Sequence, residues 1–206
     1  ISERGADSAG TLIAQAIEEA GFTDLSGVSR NSASATYTAI LDQNGELVTA
    51  LADMAIYGDA LTDHLKQRSV VTAIASASAI LMDANLTEFA LQTVVGAARG
   101  PVFAIAVSAA KAARLIPSAS AIDVIFMNHH EARLLSGQDD IHLAARHCVK
   151  AVGFNKCVVT HGDQPVLVVQ GDELWSIEVP TAEVIDVTGA GDALCGGTIA
   201  ALLRQP

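Results

Sequence analysis

From Ile80 onward the chain repeats one arrangement: a short apolar run, one or two polar residues at its carboxyl end, then a stretch with helical spacing. The apolar runs are 80–83, 102–107, 122–127 and 156–160. They do not alternate with polar positions, which predicts strands covered on both faces, the condition of a parallel sheet. Helices are expected over 61–76, 87–99, 109–116, 129–136 and 140–152. A hairpin is expected where 166–170 and 173–179 flank Gly171-Asp172. Upstream, Leu12, Ile13, Ala16, Ile17 and Ala20 form an amphipathic stripe, capped by Asp7-Ser8 and closed by Gly21. This stripe puts the chain in a helix almost at once. Strands over 36–41 and 47–51 flank 42–46, where Asn44-Gly45 is a strong hairpin signal. The pattern predicts an α/β fold: a doubly wound, mostly parallel sheet with helices on both faces. We expect one domain over 1–206, with a small β excursion over 33–56. There is no low-complexity linker and no internal repeat.

Composition narrows the partners. Half of the 206 residues are hydrophobic and 17% are charged, which argues against disorder. The formal charge of −11 disfavours nucleic acid and anionic membranes. It leaves nucleotides open, because a local backbone nest and a metal bind phosphate on an acidic protein. Cys148, Cys157 and Cys195 form neither a zinc pattern nor a disulfide framework, so a cytoplasmic setting is expected. No apolar run has membrane-spanning length.

The chemistry concentrates near the carboxyl end. There an apolar run breaks at Gly189 and Gly191, and a small-residue helical pattern follows through Leu203. Two glycines one residue apart let backbone N–H groups approach a ligand. The helix start adds unpaired donors and a partial positive charge, together favouring an anion. Asp192 inside such a site suits a proton acceptor for a hydroxyl that attacks phosphate. The equal alternative is a helix-terminus residue answering the macrodipole. The chain has no Gly-x-x-x-x-Gly-Lys-Ser/Thr loop, and Leu194 stands where a dinucleotide fingerprint wants glycine. Polar residues also recur at strand ends, as Asp83-Ala84-Asn85, Ser108 with Lys111, Asn128-His129-His130-Glu131 and Thr160-His161-Gly162. In open parallel sheets ligands bind there, although helix caps use the same residue types. His129-His130 reads better as two divergent helix residues than as metal ligands. Cys195 reads as a small core residue of the nest helix.

Asp186-Val187-Thr188-Gly189-Ala190-Gly191-Asp192 resembles the carboxyl-terminal signature of the ribokinase-like, or PfkB, carbohydrate kinases. Asp83-Ala84-Asn85-Leu86, Asn128-His129-His130-Glu131 and Val159-Thr160-His161-Gly162 fall in that family's order. Thr36-Tyr37, the stretch 52–57 with Leu61-Thr62, and Val107-Ser108-Ala109-Ala110-Lys111 are similar to the pseudouridine kinase subgroup. The resemblance implies ATP- and Mg²⁺-dependent phosphorylation of a sugar or nucleoside hydroxyl, with pseudouridine favoured. Under it, Asp192 is the base, and the N–H groups of Gly189, Ala190 and Gly191 form an anion hole. Asn128 and Glu131 serve the Mg²⁺–phosphate region through waters. Asn128, Thr160, Gly162 and Thr188 serve the nucleotide. The hairpin with Thr36, Tyr37 and Asp53 becomes a substrate lid and the contact of a homodimer.

Departures keep alternatives open. The family's amino-terminal sugar-binding aspartate and Gly-Gly segment are not in this sequence, nor are the residues that finish its adenine pocket. Segments are therefore expected to be missing at both ends. Pro165 replaces a glycine of the family pattern, and Ala104-Ile105-Ala106 lacks its usual Asp-Pro. A kinase for another sugar or nucleoside, or a non-catalytic nucleoside- or nucleotide-binding homologue, fits these departures too.

Overall fold

The structure is a computed structural model that describes residues 1–43, 47–182, 184 and 187–204. Asn44-Gly45, on which the first hairpin turn was read, lies outside the described residues, as does Asp186. The chain divides into two compact units, 1–73 and 74–206.

In the first unit, β1 (Glu3–Gly5) pairs in parallel with β2 (Gly27–Ser29), and α1 (Ser8–Glu19) lies between them in sequence. Asp7 caps α1 by accepting from Gly10 N at 2.7 Å, and it also accepts from Ser34 N and Ser34 Oγ. Those bonds to the ionised form hold its carboxyl down at about 2. β3 (Thr36–Leu41) and β4 (Leu47–Asp53) form the expected antiparallel pair. The strands β1 and β2 were not expected. Three residues carrying Glu3 and Arg4 show no strand pattern, and Glu3 is nevertheless buried, with Gly27 leaving room for its carboxylate.

The expected helix over 61–76 is instead two, α2 (Asp59–Leu65) and α3 (Arg68–Ser76). Leu61, Leu65, Val70 and Ile74 are all buried. The five-residue step from Leu65 to Val70 does not fit one helical stripe, so the chain breaks to bury both pairs.

The second unit is built on a six-stranded sheet in the order β10-β9-β8-β7-β6-β5. Its strands are β5 (Ile80–Asp83), β6 (Val102–Ile105), β7 (Val124–Asn128), β8 (Lys156–His161), β9 (Gln164–Gln170) and β10 (Glu173–Ile177). Strands β5 to β8 are parallel, and β9 and β10 return antiparallel. The helices are α4 (Glu88–Ala97), α5 (Ala109–Ala112), α6 (His129–Ser136), α7 (Ile141–His147) and α8 (Ala190–Arg204). Phe103, Val124, Phe126 and Val158 pack on one sheet face with Cys195 and Ile199 of α8. Ile125, Cys157, Val159 and Val169 are fully buried as well, so both faces are covered at β6 to β8 and those parallel strands need no alternation, while edge strand β5 leaves Leu81 half exposed.

Two expected helices are shorter than read. α5 passes into a 3₁₀ segment over Ala113–Ala121 that contains Pro117, which has no N–H for an α-helical bond. α7 passes into one π turn, Cys148–Val152, closed by Gly153 at φ +100°. The strand expected over 102–107 ends at Ile105. Among the described residues no helix is long and apolar enough to cross a membrane.

Candidate active site

The parallel strands end on one edge of the sheet, and the described polar residues of the carboxyl-terminal motif meet them there. A cavity of about 220 Å³ is lined by Ile105 and Val107 after β6, Phe126, Met127 and Asn128 of β7, and Glu131 of α6. Thr160 of β8 and Gly189, Gly191, Asp192 and Leu194 complete it.

Each wall has a local cause. Asn128 is the N-cap of α6: its Oδ1 accepts from Glu131 N at 3.0 Å, and Glu131 Oε2 accepts from Asn128 N at 2.8 Å. This reciprocal cap fixes both side chains at the end of β7. Glu131 is 4% exposed. Burial raises its pKa, against the lowering effect of the Asn128 N–H and His130. Thr160 is the register partner of Asn128 on the neighbouring strand. On the other side, the β8–β9 ladder shifts register between Val159 and His161. Pro165 follows that shift near the start of β9, where a missing N–H is tolerated.

Asp192 lies in the first turn of α8. Gly189 takes φ +79°, a left-handed conformation that glycine adopts without strain. One turn past Asp192, Cys195 is fully buried in the sheet core and anchors the start of the helix. Burial first, then the negative Asp192, push its thiol up to about 11, so Cys195 is a packing group rather than a nucleophile.

The sequence motif brought Asn128, Glu131, Thr160, Gly189, Gly191 and Asp192 into one cavity. Ala190 is not on the lining, and its N–H donates to Val187 O at 3.1 Å. Thr188 and Gly162 are not on it either; Gly162 turns the chain from β8 into β9 at φ +60°. Thr36, Tyr37 and Asp53 belong to the first unit. There Asp53 accepts from Ala55 N at 3.1 Å, and Tyr37 is 60% exposed.

Two features were not read from the residues. Val107 has φ +65°, and Ser108 N donates back to Ala106 O at 2.7 Å, closing a γ-turn around a β-branched residue. Such a turn is strained, and no local signal announces it. The His129 ring lies against those of His130 and His161, with centroids 3.8 and 4.0 Å apart and the planes tilted by 39° and 37°. Burial first, then the positive charge of His130, His161 and Arg133, holds the His129 pKa below its usual range. Lys111 donates to Asn85 Oδ1 at 2.5 Å, and Arg114 to the carbonyls of Ala84 and Asn85, so both cations shape the loop after β5.

The family model described as pfkB family carbohydrate kinase matches residues 1–206. The chain belongs to this family. It is 32% identical over 208 residues to the pseudouridine kinase of Escherichia coli (strain K12), an alignment covering 96% of this chain and 64% of that protein. It therefore spans about two thirds or less of that relative's length. A carbohydrate kinase structure from Agrobacterium tumefaciens is 39% identical, with a TM-score of 0.80 over 98% of this chain and 66% of that one. The ribokinase of Arabidopsis thaliana, solved with ribose and ATP, has a TM-score of 0.84 over 99% of this chain and 68% of that one. At 19% identity the latter shows the fold alone. The fold is ribokinase-like α/β.

Proposed function

We propose that the protein is a kinase that moves the γ-phosphoryl group of ATP onto a hydroxyl of a sugar or nucleoside, with pseudouridine first among substrates. The observation that carries this reading is one cavity whose lining includes Asp192, the two glycines Gly189 and Gly191, and the strand-end pair Asn128 and Thr160. Family membership supports the phosphotransfer, and the similarity to a pseudouridine kinase supports the choice of acceptor.

In the proposed reaction the substrate hydroxyl attacks the γ-phosphorus in line. The new O–P bond forms as the bond to the β-phosphate oxygen breaks. The hydroxyl proton passes to an Asp192 carboxylate oxygen. Gly189 and Gly191 N–H groups, at the positive end of α8, face the charge that spreads over the transferred phosphoryl. The oxygen donors of Asn128, Glu131 and Thr160 suit a hard divalent cation that keeps several waters. When bound with the nucleotide, Mg²⁺ would neutralise phosphate charge.

The β3–β4 hairpin is proposed as the dimer contact. Tyr37, Ile40, Val48 and Leu51 are 45–65% exposed, more apolar surface than a two-stranded ribbon buries by itself. The register puts Thr38 opposite Leu51 and Tyr37 opposite Ala52, so the exposed apolar residues occupy both faces rather than one.

The test is ATP consumption by the full-length protein across nucleosides and pentoses. Turnover led by pseudouridine is expected; no turnover on any acceptor would defeat the kinase reading. A non-catalytic nucleoside-binding protein is the second reading, favoured by apolar Ile105 at the cavity wall. Thermal stabilisation by pseudouridine and ATP without turnover would select it.

A further inference from the structure

The lining of the cavity is uneven across the sheet. Apart from Asp192, its polar side chains are Asn128 of β7, Glu131 of α6 and Thr160 of β8. The end of β6 supplies only Ile105 and Val107, and Leu194 of α8 adds a third hydrocarbon side chain. The backbone at that end is engaged as well. Ile105 O accepts from Ala84 N at 3.2 Å, Ala106 O accepts from Ser108 N at 2.7 Å, and Ala106 N donates to Phe126 O at 3.0 Å. Both side chains are held in place. Ile105 packs against the core cluster of Phe103, Phe126 and Cys195. Val107 is set by its γ-turn at φ +65°, a strained conformation that persists only where the surroundings impose it.

In-line attack puts the acceptor and the leaving group on opposite sides of the γ-phosphorus. With the nucleotide at Asn128 and Thr160, on β7 and β8, the acceptor falls on the β6 side, because β7 lies between β8 and β6. There Asp192 can activate water as readily as an alcohol. Water in the acceptor's place would form the new O–P bond, release ADP and inorganic phosphate, and leave its proton on Asp192. The two nucleophiles differ in what else they need. An alcohol has one O–H, which Asp192 accepts, and its carbon suits a hydrocarbon wall. Water has a second O–H, and an enclosed water makes about three hydrogen bonds. Neither side chain at the end of β6 can accept that second O–H.

We infer that Ile105 and Val107 determine the acceptor specificity of this site: they discriminate a carbon-bound hydroxyl from water, and so tie ATP use to transfer. The inference rests on the kinase reading for its reaction and on the apolar end of β6 for its place.

The test is made on the full-length protein with ATP. Phosphate released to water and phosphoryl transferred to the best acceptor are measured together, and a melting curve of each variant reports its fold. Val107→Thr and Ile105→Thr keep the branch at Cβ and add a hydroxyl to the wall. In each, the ratio of hydrolysis to transfer should rise about 10-fold, the worth of one hydrogen bond. Val107→Ala opens space without adding a polar atom and should raise the ratio much less. An unchanged ratio in both threonine variants would overturn the inference, as would a rise in Val107→Ala equal to that in Val107→Thr. If wild type transfers phosphoryl groups and both threonine ratios stay at the wild-type value, the wall falls and the kinase reading stands. If wild type transfers to no acceptor but the threonine variants gain ATP hydrolysis, the wall stands and the kinase reading falls.

Discussion

Asn128 and Glu131 exchange hydrogen bonds across the start of α6, so each has a structural duty before any ligand arrives. Glutamine at the third helical position can also make this reciprocal cap, and Glu131→Gln therefore separates fold from charge. Its melting temperature should stay within a few degrees of wild type, while activity or Mg²⁺ affinity falls about 10–100-fold, the usual worth of an outer-shell partner. The Glu131 pKa lies above its ordinary 4.5, chiefly through burial. A carboxyl group raised by folding favours the fold below its unfolded pKa and loses that contribution as pH rises through the folded one. Melting curves should show the stability of wild type relative to Glu131→Gln rising on acidification through that window. A gap that widens the other way would contradict the assigned cause. Asn128 and Glu131 could be found from sequence because a cap and a ligand site want the same residue types; the helix start settles their placement but leaves both duties standing.

The strand ends of the second unit were legible because β6 to β8 are covered on both faces and stay apolar through their middles, and edge strand β5 is apolar up to Asp83 even though Leu81 is 50% exposed. The same logic failed at the short strands β1 and β2, where burial of Glu3 depends on the absence of a side chain at Gly27. It also failed at Val107, since a β-branched residue is the last that local propensity would put at positive φ. The strain there gives a test. Val107 is 42% exposed, so truncation sacrifices little burial. Val107→Gly should leave stability unchanged or raise it by about 1 kcal/mol, relief of strain outweighing the entropy of glycine. A loss of more than about 2 kcal/mol in denaturant titration would mean that the γ-turn is held by packing and is not strained. At the other end, Asp7 joins the start of α1 to Ser34, just before β3. Asp7→Ala should lower the melting temperature by a few degrees and speed amide exchange over 29–36. The folded carboxyl of Asp7 titrates at about 2, below its ordinary 3.8, so its contribution is full above that ordinary value and disappears as pH falls through about 2. Exchange at Ser34 equal in the variant and wild type would remove the network from the account.

For the whole molecule, the exposed apolar residues of β3 and β4 make oligomeric state the first question. Light scattering at tens of micromolar should give about twice the 21.2 kDa of this chain for the same 206 residues, and Leu51→Asp should return the monomer. A monomeric wild type would remove the hairpin from any assembly. Acidity, three free cysteines and an α/β pattern do not by themselves select a reaction. The reaction reading depends on a few residues after Val187. Asp192→Asn tests it most directly, because the substitution keeps the shape of the side chain and the nest N–H groups but removes the proton acceptor. In the full-length protein, kcat for the best acceptor should fall about 10²–10⁴-fold, with ATP affinity nearly unchanged. A near-normal kcat in Asp192→Asn would make Asp192 a helix-terminus residue and contradict the proposed mechanism.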